Sequence, residues 1–571
     1  MKRTVFCAMV LSVAAIATAD PEPGSGPDGM PGGSVSKTYT EEEAWRLGWP
    51  MIHGPFGNFL PARTGVKLVD DLKDVRVVWE SEDKDFGRAK CSTGLASKIG
   101  KSPTEFCGLG AARHGGSWAG PIVAEGKVFG TSFRPGGKEY EVAGGKAAME
   151  ADDLLIALDA KTGKTAWKAV EPGGLIWGMD KRQGWQVAPA YHRGKVFSMG
   201  TTGRLFAYEA ATGKKIWQAD IGVTHKKMEE TKAGVLTALA KGEMKTVSRL
   251  AWHTSLVVTD PAGSGTGGVL VVPLFDGVDT SLRGVDVETG KTKWELKAAV
   301  SRCATPNVWR HGGKEYLLAP TIGGAMKLLD PATGRVLWTV DKLPPNYFTL
   351  SASATHVLVN VGSKAPGKRD RNYGLLAAYR IAPDKAERVW TFPDRAEYRF
   401  PNWMDSCAMR RVLSRDGLVY VCLSAEDETQ DGEAAPSQTS AAQRGTNQTA
   451  AAKLDRFVIA REETGEIVAE YNNVGKEEPD RIGGLYYLIE DRLFCRKNAS
   501  HAPSHGGRHP FILWSADPKE IRRTGPNGLD LHELATAYEV FMECPIMAGR
   551  VWMRDERGFV VCYDLRAKHA E

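Results

Sequence analysis

The stretch Asp159-Ala-Lys-Thr-Gly-Lys-Thr-Ala-Trp167 decides the fold, because the chain repeats it. Glu209-Ala-Ala-Thr-Gly-Lys-Lys-Ile-Trp217 keeps the same frame, as do Asp286-Val-Glu-Thr-Gly-Lys-Thr-Lys-Trp294 and Asp330-Pro-Ala-Thr-Gly-Arg-Val-Leu-Trp338. All four read acidic-x-x-Thr-Gly-basic-x-x-Trp without a gap. An element that returns about every 40 to 50 residues marks a repeat architecture.

Each copy follows an apolar run and ends on an aromatic ring. Leu154–Leu158 precedes the first, Leu205–Tyr208 the second and Met326–Leu329 the fourth. Short apolar runs bounded by turn residues read as strand, turn, strand. Glycine supplies the positive φ of the reversal, and the acidic residue four positions earlier can accept from free turn amides. The tryptophan falls on the returning strand, where its ring can be buried against a neighbouring unit. A second pair of strands precedes each motif, since Trp118–Phe129 matches Gln186–Phe197 almost position for position. Four strands per unit make the blade of an all-β propeller of antiparallel sheets.

The motif resembles the repeat of pyrroloquinoline-quinone (PQQ)-type propellers, whose recurring tryptophans dock adjacent blades. Trp79, Trp167, Trp217, Trp294, Trp338 and Trp390 occupy that position here. Quinoprotein alcohol dehydrogenases share the repeat, and so does the β-propeller lipoprotein of outer-membrane protein assembly. The opening Gly48-Trp-Pro-Met-Ile-His-Gly-Pro-Phe-Gly-Asn58 is similar to that of secreted PQQ-like repeat proteins of planctomycete type. The resemblance implies a fold, and the family holds both enzymes and non-enzymes.

Blades are expected at 115–170, 182–220, 249–297, 301–341, 347–393, 405–472, 483–523, and 540–566 joined by 74–81. That makes eight, with the ring closed by strands from both termini, which removes exposed sheet edges. The repeat decays toward the end. Blade five replaces its turn with Ala382-Pro-Asp-Lys-Ala-Glu, and blade six keeps Glu463-Thr-Gly465 without a following tryptophan. Two insertions interrupt the rhythm: 226–247, of helical composition, and 425–452, a polar stretch that reads as a mobile loop.

The 571 residues are 42% apolar and 25% charged, and their net charge is +5. This is ordinary for a globular protein, and no basic run indicates a nucleic-acid or anionic-membrane surface. Residues 1–19 combine Lys2 and Arg3, an apolar stretch and Ala17-Thr-Ala19, which reads as a secretory signal cleaved near Ala19. The apolar run is too short for a membrane span. Residues 20–40 are a Pro/Gly-rich linker expected to be disordered, and 41–571 form the propeller domain, opening on one or two helical turns at Glu41. The protein is expected to be soluble in the periplasm or outside the cell. Among its cysteines, Cys91 and Cys107 flank a loop and are the candidates for a disulfide; Cys422, Cys495 and Cys562 lie in apolar runs and read as core.

Ligand sites of propellers gather at one mouth of the central channel. Aligning blade starts on Pro121, Pro189 and Pro306 brings Trp118, Gln186 and Cys303 to equivalent positions, with His253, Arg302 and Arg410 close by. This is a funnel of aromatic, polar and cationic groups. The quinoprotein resemblance implies PQQ, Ca²⁺ held by oxygen ligands, an aspartate base and a vicinal disulfide. Asp405 is the candidate base, but no two cysteines are adjacent and no Cys-x-x-Cys-His haem site exists. His501, His505 and His509 recur every four residues, but prolines and glycines among them forbid a helix that would align them for a metal. No cofactor is therefore assigned. The reading is a non-catalytic binding or scaffold module for a protein or peptide; the alternative is a PQQ- and Ca²⁺-dependent dehydrogenase of alcohols or sugars.

Overall fold

Each acidic–Thr–Gly–Trp motif folds as the outer hairpin of an antiparallel sheet, and the sheets follow one another around a ring. The computed structural model describes residues 36–86, 119–142, 145–175, 187–221, 230, 233, 255–261, 267–275, 280–297, 305–320, 324–344, 349–362, 373–393, 395, 398, 400–401, 412–424, 455–472, 482–497, 511–520, 523–524, 544–554 and 559–567. The leader, most of the linker, nearly all of 226–247 and the whole of 425–452 lie outside them.

The described strands form eight blades. Seven sheets have four strands, each in simple meander order from the channel outward. Blade five has three, His356–Asn360, Leu376–Ile381 and Ala386–Thr391; its innermost strand is reduced to the single bridge Ala352↔Val357. Blade eight takes its outermost strand from Arg76–Glu80, which pairs with Val560–Asp564 in the register Arg76↔Asp564 and Glu80↔Val561. The ring is thus closed by N- and C-terminal strands together.

The turn chemistry explains why the motif recurs. Asp159 Oδ1 accepts the N–H groups of Lys161 (3.0 Å) and Thr162 (2.8 Å) and the Thr162 hydroxyl (2.9 Å). Asp286 repeats this with Glu288 and Thr289. Partial burial pushes both carboxyls up, but the threonine and turn-amide bonds outweigh it and hold them below their usual value.

The tryptophans join the blades. Trp79 Nε1–H, in blade eight, donates to Ala160 O of blade one at 3.1 Å. Trp167 reaches Ala210 O of blade two (3.0 Å), and Trp217 reaches Val287 O of blade three (2.9 Å). Trp294 then reaches Pro331 O (2.8 Å), Trp338 Ala382 O (2.8 Å) and Trp390 Glu462 O (2.7 Å). The acceptor lies one or two residues past the third strand of the next blade. The same indole lies over the next blade's Thr-Gly turn: a Cβ on Gly213 would sit 2.5 Å from Trp167, and one on Gly334 2.6 Å from Trp294. Both glycines have φ near +73°, so ring and backbone together require glycine.

Blade six lacks the tryptophan, and its junction uses other groups. The Tyr420 hydroxyl donates to Ala516 O (3.2 Å), the equivalent acceptor in blade seven, and the Tyr486 hydroxyl donates back to Tyr420 O (3.0 Å). Cys544 N–H of blade eight donates to the Tyr487 hydroxyl of blade seven (3.0 Å). Cys422, Cys495, Cys544 and Cys562 are all buried, as small apolar-run residues favour.

The segment before the first complete blade does more than lead into the ring. A seven-residue helix, Glu41–Leu47, is capped reciprocally by Thr40 and Glu43. The chain then crosses all eight blades in order. Trp49 pairs with Val123 of blade one, Pro50 O accepts from Tyr191 N–H of blade two (2.8 Å), and Met51 sulfur accepts from Val258 N–H of blade three (3.2 Å). Pro55 O accepts from Arg310 of blade four (2.9 Å), and Asn58 O from Ser351 of blade five (3.3 Å). Arg63 meets Asp416 of blade six at 3.1 Å. Glu490 of blade seven accepts the amides of Thr64 and Gly65, and Val69 N–H donates to Leu565 O of blade eight (2.8 Å). This strap covers the free edges of innermost strands, whose backbone groups need partners once buried.

Trp294→Phe keeps most of the ring but leaves Pro331 O without its donor. Denaturant unfolding should show a loss of about 1–3 kcal/mol, and about 3–5 kcal/mol for Trp294→Ala. A neutral Trp294→Phe would remove the carbonyl contact from the account of blade docking.

Candidate functional site

The two mouths of the channel are unlike. One, the turn face, carries the Thr-Gly turns and the tight hairpin between the two innermost strands of each blade. The strap runs along it from Arg63 onward, meeting Asp416, Glu490 and, at blade eight, Gly549. Hairpins of neighbouring blades also tie to one another there: the Tyr191 hydroxyl donates to Glu125 (2.5 Å) and Arg193 pairs with Asp260 (2.8 Å). The opposite, loop face is where the chain enters each innermost strand. It is the open candidate.

A relay of hydroxyls lines the loop face two residues ahead of the innermost strands. Ala188 N–H of blade two donates to Ser255 Oγ of blade three (3.2 Å). Ser255 N–H donates to Thr305 Oγ1 of blade four (2.9 Å), and Thr305 N–H to Thr349 Oγ1 of blade five (3.1 Å). Thr131 of blade one joins by donating its hydroxyl to Val187 O (2.8 Å). These groups are nearly all buried, so each bond satisfies an amide that would otherwise be orphaned. Among the described residues, these bonds tie the rim from blade one to blade five.

Two buried charges stand at the same level. Asp153 lies within the third strand of blade one and accepts Thr201 N–H of blade two at 2.9 Å, with Arg204 at 3.5 Å. Burial pushes its carboxyl up to about 6, although the Thr201 and Arg204 contacts pull the other way. A Cβ on Gly200 would lie 2.2 Å from the carboxylate, so the neighbouring blade keeps a glycine there. Around the pair, Arg204 also donates to Pro172 O (2.8 Å), while Glu171 receives the Tyr208 hydroxyl (3.0 Å) and Lys215 (2.8 Å). Arg554 ends the second strand of blade eight and donates to Thr131 O (2.5 Å) and Phe86 O (3.4 Å), its guanidinium 5.3 Å from the Phe86 ring. Burial lowers its pKa to about 9.

Beside Asp153 the second and third strands of blade one run on as a long hairpin, Lys127–Val142 with Gly145–Asp159. The ladder continues through Arg134↔Asp152 and Tyr140↔Ala147 to Val142↔Gly145, with a bulge at Gly136/Glu139. At roughly 3.3 Å per residue this arm extends about 30 Å past the blade on the loop-face side. It overturns the expectation of a first blade ending near 170, since its fourth strand reaches Leu175.

The residues singled out from sequence fall mostly elsewhere. Trp118, Gln186, His253, Arg302, Cys303 and Arg410 lie outside the described residues, as do Asp405, His501, His505, His509, Cys91 and Cys107. The six tryptophans are described and lie at blade junctions, as set out above. Asp153 and Arg554 were missed, yet each had a signal: a charge at the end of an otherwise apolar strand run, Asp153 before Leu154–Leu158 and Arg554 after Val551-Trp-Met.

A PQQ and Ca²⁺ site does not assemble from the described residues. No three of their His, Cys, Asp and Glu side chains converge to hold a metal, and Asp153 is engaged by Thr201 and Arg204. No catalytic step is derived from them.

Residues 40–237 and 151–341 match the sequence profile of the PQQ-repeat family described as outer membrane protein assembly factor BamB. Together the matches span just over half of the 571 residues. No curated protein sequence matches the chain. Among solved structures, BamB from Moraxella catarrhalis is similar at 12% identity and TM-score 0.41, over 76% of this chain and 95% of that one. Quinohemoprotein alcohol dehydrogenase from Comamonas testosteroni is similar at 13% identity and TM-score 0.47, over 92% and 82%. The quinohemoprotein alcohol dehydrogenase ADHIIG from Pseudomonas putida HK5 gives 13% and 0.46, over 94% and 84%. At these values no residue role is transferred.

The raised carboxyl of Asp153 has a definite sign. Its contribution to stability is full below the ordinary 3.8 and is lost as pH rises through about 6. Asp153→Asn should therefore be the more stable protein at pH 7.5, by roughly 3 kcal/mol, and the gap should close as pH falls to 4. Parallel stability profiles for the two proteins would contradict a buried, charged Asp153.

Proposed function

The chain belongs to the family described as outer membrane protein assembly factor BamB, and from that premise we propose that it is a non-catalytic binding module that presents the loop face of a rigid ring to a protein or peptide partner. The observation that carries this is the hydroxyl relay from Ala188 through Ser255 and Thr305 to Thr349. It commits the polar groups of the rim to holding one blade to the next. A rim built this way positions what stands on it, and loops on a rigid scaffold are where propellers carry recognition. The strap supports the same direction by occupying the turn face from blade six to blade eight.

The leader-like residues 1–19 support export, with cleavage near Ala19, to the periplasm or beyond. No helix among the described residues is long and apolar enough to cross a membrane. The competing reading, a PQQ- and Ca²⁺-dependent dehydrogenase, meets a sequence without adjacent cysteines or a haem-attachment motif.

One reconstitution separates the two. Purified protein is incubated with PQQ and Ca²⁺, then assayed for bound-quinone absorbance and dye-linked oxidation of alcohols and sugars. The binding-module reading expects neither; stoichiometric quinone with turnover would overturn it.

A further inference from the structure

We propose that the outer loop-face corner between blades one and two is a pH-operated clasp, which loosens as pH rises while the rest of the ring stays closed. The clasp is built where the arm leaves its blade. Asp153 is paired with Phe133 on one side and with Glu171 on the other, and its carboxylate crosses to blade two. There it accepts Thr201 N–H at 2.9 Å and stands 3.5 Å from the Arg204 guanidinium. Backbone walls it in from both blades. A Cβ on Gly174 of blade one would lie 2.8 Å from Asp153 Oδ1, and one on Gly200 of blade two would overlap Oδ2. A carboxylate enclosed in this way has given up water for a small number of fixed donors.

The charged groups around Asp153 leave it as the one that responds. Arg204 is also bound to Pro172 O (2.8 Å), and Glu171 is engaged by the Tyr208 hydroxyl (3.0 Å) and by Lys215 (2.8 Å). Asp152, next in the chain, pairs with Arg134 at 3.1 Å. Burial and the facing carboxylates keep the Tyr208 hydroxyl protonated. Burial also raises Asp153 to about 6, against 3.8 for a solvated carboxyl, with Thr201 and Arg204 pulling the other way. A closed corner therefore binds a proton more tightly than an open, solvated one. Its closure is favoured in full below 3.8, and that advantage is lost as pH rises through about 6. The rest of the seam does not share the response. Trp167 reaches Ala210 O (3.0 Å) on the turn side, and Thr131 reaches Val187 O (2.8 Å) beside the channel, both through uncharged groups. Opening is thereby confined to the corner, at a lower free energy than unfolding of the ring.

Hydrogen exchange of the full chain, corrected for the intrinsic rate at each pH, reads this opening at the Thr201 amide. The opening constant should rise about tenfold from pH 5 to pH 7.5. The turn amides of 210–213, whose opening leaves Asp153 buried, should keep one corrected rate. Asp153→Asn should remove the response at Thr201. Arg204→Gln takes away a group that favours the charged carboxylate, so its response should exceed that of the wild type. Equal corrected exchange of wild-type Thr201 at both pH values would overturn the proposal. So would an Asp153→Asn variant that keeps the response, an Arg204→Gln variant with no larger one, or the same rise at 210–213.

Discussion

One contact organises this ring: an indole N–H that reaches the carbonyl just after the third strand of the next blade. It runs without a break from Trp79 to Trp390, through six junctions. The contact combines a directional bond with burial of the largest side chain available, and at five of the six junctions the ring lies against a turn glycine whose missing Cβ leaves room for it. Turn, glycine and tryptophan are therefore one device divided between two blades. That division explains why the motif tolerates variation elsewhere. Blade five has lost its Thr-Gly turn, yet Ala382 O still accepts from Trp338. Where the tryptophan itself is missing, Tyr420 delivers a donor to the same acceptor position, Ala516 O.

A ring joined by local contacts still has to close. The shared sheet of blade eight does this in the usual manner of propellers, with Arg76–Glu80 against Val560–Asp564. The strap adds a second closure that bears on every blade. It offers mainly backbone groups, and at blades four to seven a side chain of the blade meets it: Arg310, Ser351, Asp416 or Glu490. Its path fills the turn face from blade six onward and leaves the loop face as the side on which recognition can vary. At that face, the relay of Ser255, Thr305 and Thr349 fixes the rim. Asp153 and Arg554 hold blade one to its neighbours on either side.

Much of this was legible in the sequence, for a physical reason. Blade docking demands the same residues at the same spacing each time, so Asp159–Trp167 and its copies announce the fold, and the strand near Trp79 announces the closure. The strap carries no such signal. Its partners are reached through carbonyls of Pro50, Pro55 and Asn58, which any residue could supply. The arm was hidden by its composition: Arg134-Pro-Gly-Gly reads as a loop, yet the chain continues as strand through it with a bulge. Asp153 was overlooked because a charge flanking an apolar run usually faces water. The rim hydroxyls are common residues whose role appears only when neighbouring blades meet. Trp118, Gln186 and the other funnel residues lie outside the described residues.

The central claim is that recognition belongs to the loop face and the turn face is structural. Photo-crosslinking in the native envelope tests it, with one probe at Arg134 beside the arm and another at Lys161 in a Thr-Gly turn. Both side chains are exposed. The account predicts a discrete protein adduct from position 134 and none from position 161. Adducts from position 161 alone would contradict it.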